Sequence, residues 1–185
     1  GTWDGITGHC TSLTAVKGIY NYFSERNIPL EKVNMGTILT ATSFYIKGDV
    51  DLAHLVNVEI DTTKTLPSGS VTMEEIEQFE KEAVSGYTVK YEKDGRAVKD
   101  KDFDKGGVGW HFYFDEKAGA SYMVNDDPKS PYYKYYLSYE SPLSLQAKLD
   151  FAHKYKMAGI IVWEVSADDT KYPMIHQMDD NLIVK

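Results

Sequence analysis

The stretch Ala158–Asp169, AGIIVWEVSADD, decides the fold. From Gly159 to Trp163 it is an almost unbroken apolar run that then meets polar groups. Such a run is how a strand buried on both faces, inside a parallel sheet, reads. The segment ahead of it, SPLSLQAKLDFAHKYKM, has helical spacing, with Leu145, Leu149 and Ala152 on one face. Ser141 is placed to cap that helix and Pro142 to occupy its first position. Trp163 lies near the C-terminal end of the expected strand 159–165, which in an α/β barrel is the end that faces the ligand. An indole there offers an apolar face to the C–H groups of a sugar ring and shapes a pocket without adding charge.

The front of the chain repeats the helix-then-strand order. In Thr14–Arg26 the residues Val16, Ile19, Tyr20 and Phe23 share a helical face, and Asn27 and Pro29 end the helix. Lys32–Ile38 reads as a short strand in which Gly36 allows close backbone approach. Helix followed by strand at this spacing is half of a repeating α/β unit. From about Tyr45 the pattern changes. Asp49–Pro67 mixes short alternating segments with turns, and Met73–Ala83 is a short acidic helix. Tyr87–Tyr91 alternates like a strand, and Lys93–Gly107 reads as a charged loop. Trp110–Phe114 and Ala120–Val124 read as an antiparallel pair, with Tyr132–Tyr139 as a further aromatic strand. An amphipathic piece, Pro173–Leu182, closes the chain, and no internal repeat is visible. The middle is therefore expected to be a small α+β insertion between two α/β segments.

Composition narrows the function. The 185 residues are 42% hydrophobic, enough for a true core. The net charge of −8 argues against nucleic acid or an anionic membrane as partner, and no stretch reaches the ~18 apolar residues of a membrane span. A neutral polymer such as a polysaccharide would tolerate that charge. Aromatics make up 13%, with 14 Tyr, which fits stacking surfaces or an aromatic core. The single cysteine, Cys10, cannot form an internal disulfide, and no Cys/His cluster has zinc spacing. Neither a metal nor another cofactor is expected. The chain opens on Gly1, as an excised piece would.

Three stretches resemble glycoside hydrolase family 18, the chitinases and their non-catalytic relatives. The opening GTWDGITGHCTSL is similar to the family's G-x-W-[DE]-x-x-T-G-H-x-x-x-L, with Gly1, Trp3, Asp4, Thr7, Gly8, His9 and Leu13 in place. The segment IPLEKVNMGTILTATSF resembles the family's strand P-x-x-K-[LV]-x-[LM]-G-[IT]-P-x-Y-G-R-S-F through Pro29, Lys32, Val33, Met35, Gly36, Ser43 and Phe44. YESPLSLQAKLDFAHKYKMAGIIVWEVSADD resembles Y-[DE]-[DS]-P-x-S-[IL]-x-x-K, a helix, then G-[GV]-x-[MV]-x-W-E-x-x-x-D.

The resemblance implies the C-terminal portion of a (β/α)8 barrel with an α+β insertion between strand seven and helix seven. Residues 1–44 would be one barrel segment, 45–138 the insertion and 139–185 a second barrel segment. It implies a chitinase-type hydrolase of β-1,4-linked N-acetylglucosamine polymers in an extracellular setting, or a chitin-binding lectin of the same fold. A protein-contact role for the insertion is the third possibility. The family's catalytic D-x-x-D-x-D-x-E does not occur in this sequence. Nor does the Met-x-Tyr-Asp whose Tyr and Asp support the substrate acetamide in the family. The implied sugar-binding residues are Trp163 as floor, Trp3 as a lining aromatic, and Thr40, with Asp4 and Glu164 in supporting roles. Asp168 and Asp169 suit a cap or loop as well as they suit a site. Where many members carry Tyr-x-Arg, this chain has Thr40-Ala41-Thr42, which puts efficient turnover in question. Asp100, Asp102 and Asp104 have no Glu where a calcium loop needs one and read as a solvated charge run.

Overall fold

The computed structural model describes residues 5–64, 71–171 and 173–181. Trp3 and Asp4 lie outside the described residues. A helix, α1 (Leu13–Ser24), leads into strand β1 (Asn34–Ile38). Ser12 caps α1 by accepting from the Ala15 N–H, and Asn27, at φ 53°, turns the chain out of it. Near the other end, α3 (Pro142–Lys154) leads into β8 (Gly159–Trp163), and α4 (Pro173–Asp180) follows. Ser141 and Ser144 form a reciprocal cap with Pro142 in the first turn, as the sequence reading expects. β1 and β8 pair in parallel, with Gly36 opposite Ile161 and Ile38 opposite Trp163.

The residues between form a second sheet of six strands in the order β2-β7-β6-β5-β3-β4. These are β2 (Thr42–Tyr45), β3 (Ser85–Tyr91), β4 (Ala97–Asp104), β5 (Trp110–Asp115), β6 (Ala120–Asn125) and β7 (Tyr135–Tyr139). All neighbours are antiparallel except β3 and β5, which run in parallel. Helix α2 (Met73–Glu82), held by a Thr72/Glu75 capping box, covers one face through Ile76 and Phe79. Phe79 stacks on Trp110 at 4.5 Å between ring centres. The segment 46–60 covers the other face with Ile46, Leu55 and Ile60. There a ladder of tyrosines, Tyr87, Tyr113, Tyr122 and Tyr136, stacks across four strands at 5.0–5.7 Å. Much of the tyrosine content thus builds core. Leu145, Leu149 and Met174 of α3 and α4 join the α2-side core, so the two sheets share one apolar interior.

Three sequence expectations need correction. Strand β8 is not buried on both faces: Ile161 is 57% exposed and Trp163 70% exposed. Among the described residues it pairs only with β1, and the face that carries Ile161 and Trp163 stands open to solvent. Second, the expected charged loop 93–107 contains strand β4. Its alternating charges suit an exposed edge, where Asp100 pairs with Lys90 and Asp102 accepts from Thr88. Third, the apolar face expected of the first helix is only half covered. Tyr20 packs on Tyr155 and Phe151 of the α3 region, but Ile19 stays exposed.

Candidate functional site

Strand alternation sorts the β1/β8 pair into two faces. Met35, Thr37 and Leu39 point into the protein and are buried. Gly36 and Ile38 lie on the opposite face together with Ile161 and Trp163, and Thr40 follows in the bend after the strand. The Trp163 indole therefore stands at the C-terminal strand ends, and the Leu39 N–H donates to its carbonyl at 2.9 Å. The peptide between Trp163 and Glu164 is cis. Glu164 is exposed and Thr40 half-buried. Ile38 and Trp163 are thus brought to one face, with Glu164 next in the chain after Trp163 and Thr40 two residues after Ile38; Trp3 and Asp4 lie outside the described residues. Asp168 acts on the backbone instead, accepting the Ile175 N–H of α4 at 3.0 Å and the Asp169 N–H.

Behind that face sits a polar cluster that inspection of the sequence missed. Glu140 and Lys148 form an ion pair at 2.7 Å, and neither side chain has any exposure. Thr37 and Thr11 donate to the other carboxylate oxygen, and Ser144 also donates to Glu140. One signal was available: Lys148 lies among Leu145, Leu149 and Ala152 on the apolar face of α3, where an unpaired lysine would not be tolerated.

Other titratable groups do not build a reaction site. Ser85 Oγ lies 2.6 Å from His111 Nδ1, and His111 Nε2 lies 3.0 Å from Asp126 Oδ1. Both Ser85 and His111 are buried, so no substrate reaches that hydroxyl; the cluster ties β3 to β5. Cys10 accepts from the Thr42 hydroxyl at 3.0 Å, and burial pushes its thiol pKa up, which lowers its reactivity. Burial likewise lowers the His9 pKa. Asp104 accepts from Gly106 N–H and pairs with Lys101. Among the described residues no group of three His, Cys, Asp or Glu could hold a metal ion.

A concavity of about 910 Å³ lies on the other side of β8 from the indole. Leu149, Met157, Ile160, Val162, Ile175 and Met178 line it. It is a largely apolar groove between β8, α3 and α4, also lined by Glu31, His153, Lys156, Asp179 and Asn181; it does not include the Trp163 indole, whose place at the strand ends keeps it the candidate site. No helix among the described residues is long and apolar enough to cross a membrane.

Comparison with solved structures shows the same fold at low sequence identity. A chitinase of Cycas revoluta in complex with (GlcNAc)4 superimposes with a TM-score of 0.68 at 19% identity, covering 98% of this chain and 44% of that one. A Rhizomucor miehei chitinase gives 0.67 at 16% identity over 98% and 50% of the two chains. A cell-surface-expressed, multi-modular chitinase of a Paenibacillus species gives 0.68 at 18% identity, covering all of this chain and 18% of that one. The chain thus spans half or less of the length of these proteins. No curated protein matches it. The profile of glycosyl hydrolases family 18 matches residues 1–168, and the chain belongs to that family.

Proposed function

We propose that this chain supplies part of a chitin-binding groove to a chitinase-type glycoside hydrolase. In this reading residues 1–44 and 139–185 are segments of the C-terminal part of the barrel, and 45–138 is an insertion between strand seven and helix seven. One observation carries the proposal: the Trp163 indole is exposed at the C-terminal ends of two parallel strands, on the face shared with Ile38, with Thr40 two residues beyond it. A planar apolar surface with hydroxyls nearby suits a pyranose, which presents C–H groups on its faces and hydroxyls at its rim. Family membership and neighbours crystallised with (GlcNAc)3 and (GlcNAc)4 support the choice of sugar. An extracellular or cell-surface setting fits a polymeric substrate and the cell-surface relative.

Hydrolysis in this family uses the substrate's own acetamide as nucleophile and a single acidic side chain. That side chain belongs to the D-x-x-D-x-D-x-E motif, which this sequence lacks. This chain's own part is to bind and orient: Trp163 stacks, Thr40 hydrogen-bonds, Trp3 lines the groove as a second aromatic, and Asp4 and Glu164 support. The 185-residue chain alone should therefore show no turnover of a fluorogenic chitobioside. A lectin of the same fold is the second reading, favoured by Thr40-Ala41-Thr42 in place of Tyr-x-Arg. In a longer polypeptide carrying this chain, a terminal Glu in the catalytic motif selects the enzyme, and Gln or Leu there selects the lectin.

Calorimetric titration with (GlcNAc)4 tests the binding face. Trp163→Ala should weaken affinity by roughly 1–3 kcal/mol, the scale of one lost stacking platform. Unchanged affinity in that variant would show that the sugar sits elsewhere.

A further inference from the structure

The three stretches that carry the family resemblance converge on one buried carboxylate, and the strand residue that meets it, Thr37, points to the face of β1 opposite the indole. Thr11 comes from the opening stretch, Thr37 from β1, and Glu140, Ser144 and Lys148 from the stretch that opens α3. Thr37 Oγ1 donates to Glu140 Oε2 at 2.5 Å, and Thr11 Oγ1 donates to the same oxygen at 3.1 Å. Lys148 Nζ donates to Glu140 Oε1 at 2.7 Å, and Ser144 Oγ donates there too. Lys148 also donates to the Gly119 carbonyl at 3.2 Å, in the turn between β5 and β6. Gly119 sits at φ 53°, and a Cβ there would meet Leu13 Cβ at 2.9 Å, so that turn is held close against the start of α1.

A buried ion pair is weak evidence for stability, because desolvation offsets most of the attraction. Apolar side chains of the same volume would fill this space equally well. They would not link it: four directed donors on one carboxylate fix the relative placement of β1, α3 and the segment before α1. Thr37 is the register partner of Val162, its neighbour Ile38 faces Trp163, and Leu39 N–H bonds the Trp163 carbonyl. A hold on Thr37 is thus a hold on the strand pair that presents the indole.

We infer that Glu140 is a positioning residue: its carboxylate fixes β1 through Thr37 and, through the β1–β8 ladder, sets where the Trp163 face stands against the six-stranded sheet. The consequence for sugar affinity rests on the function proposed above; the fixing of β1 does not.

Amide hydrogen exchange on the full chain tests it, with Thr37→Val, Thr37→Ser and Glu140→Gln. In Thr37→Val the Leu39 amide should exchange about ten-fold faster, while the Met123 amide in β6 keeps its wild-type rate. Thr37→Ser keeps the donor and should restore the wild-type rate. Glu140→Gln should speed Leu39 exchange more than Met123 exchange, on top of any global loss. Unchanged Leu39 exchange in Thr37→Val, or equal acceleration at Leu39 and Met123, overturns the inference. Titration with (GlcNAc)4 separates the two claims. If Leu39 responds but wild-type protein binds no sugar, the positioning role stands and the sugar reading falls. If the sugar binds wild type and Leu39 does not respond, the reverse holds.

Discussion

The six-stranded sheet and the β1/β8 pair share a core but treat their edges in opposite ways. The outer edge of the larger sheet is β4, AVKDKDFD, whose lysines and aspartates pair locally and repel a further strand. The outer edge of the smaller sheet is β8, GIIVW, with Ile161 and Trp163 exposed on one face and Ile160 and Val162 lining an apolar groove on the other. The larger sheet is also covered on both faces, by α2 and by the segment 46–60. Edge chemistry therefore distinguishes a sheet that ends from one suited to a neighbour, whether another strand, a sugar or a second copy of the chain.

The sharpest way to break this comparison is to remove one tryptophan from each region. Trp110 is buried, stacked on Phe79 and near Tyr132. Trp110→Ala should cost about 3–5 kcal/mol in urea unfolding, as for other deleted core aromatics. Trp163→Ala should cost under ~1 kcal/mol, because little of its surface is withdrawn from water. Equal losses would mean that the two sheets do not differ in the way described.

A smaller effect is expected at the edges. With β8 unguarded, the chain alone should self-associate in sedimentation velocity as concentration rises. Ile161→Lys should oppose this; withdrawing one buried isoleucine contact, worth roughly 1.5–3 kcal/mol, raises the dissociation constant about ten-fold or more. Lys101→Ala on β4 is the control and should change little. A wild-type chain that stays monomeric at high concentration would show that the apolar edge is tolerated as it is.

How far the sequence revealed this arrangement depended on how local each signal was. The caps were local: Ser141-Pro142 marks the start of α3 at the observed residue. The antiparallel β5–β6 pair was local too, since the strands are joined by a short turn. Strand β4 was missed because a run such as Lys99-Asp100-Lys101-Asp102 has no apolar face to alternate; only its pairing with β3 makes it a strand. The parallel pairing of β3 with β5, and the burial of β8, depend on which strands lie alongside, which composition and spacing do not encode. Trp163 stands out in the sequence as the large aromatic that ends an apolar run, and the structure leaves it exposed. The cluster around Glu140 was legible only in part: Ser144 and Lys148 stand four and eight residues after it in the same quoted stretch, but its donors Thr11 and Thr37 lie 129 and 103 residues away.

The smallest expected effect concerns the side of the larger sheet where α2 meets β7. Tyr139 donates its phenol proton to Glu80 Oε1 at 2.6 Å. Burial pushes the Glu80 pKa above the ordinary carboxylate range, and the hydrogen bond from Tyr139 only partly opposes that shift. A carboxyl whose pKa is raised on folding binds its proton more tightly in the native state. Its stabilising contribution is complete below the unfolded pKa and is lost as pH rises through the folded one. Wherever Glu80 is ionised, it is therefore a charge in a site that favours the neutral form. Glu80→Gln keeps an acceptor for Tyr139 and removes the charge, so the variant should be more stable than wild type at neutral pH by about 0.5 kcal/mol or less. That advantage should shrink as pH falls through the raised range, where wild type regains its proton. Urea midpoints of the two proteins across that range decide it. A variant advantage that grows toward acid would reverse the sign, and would mean that Tyr139 stabilises the carboxylate more than burial penalises it.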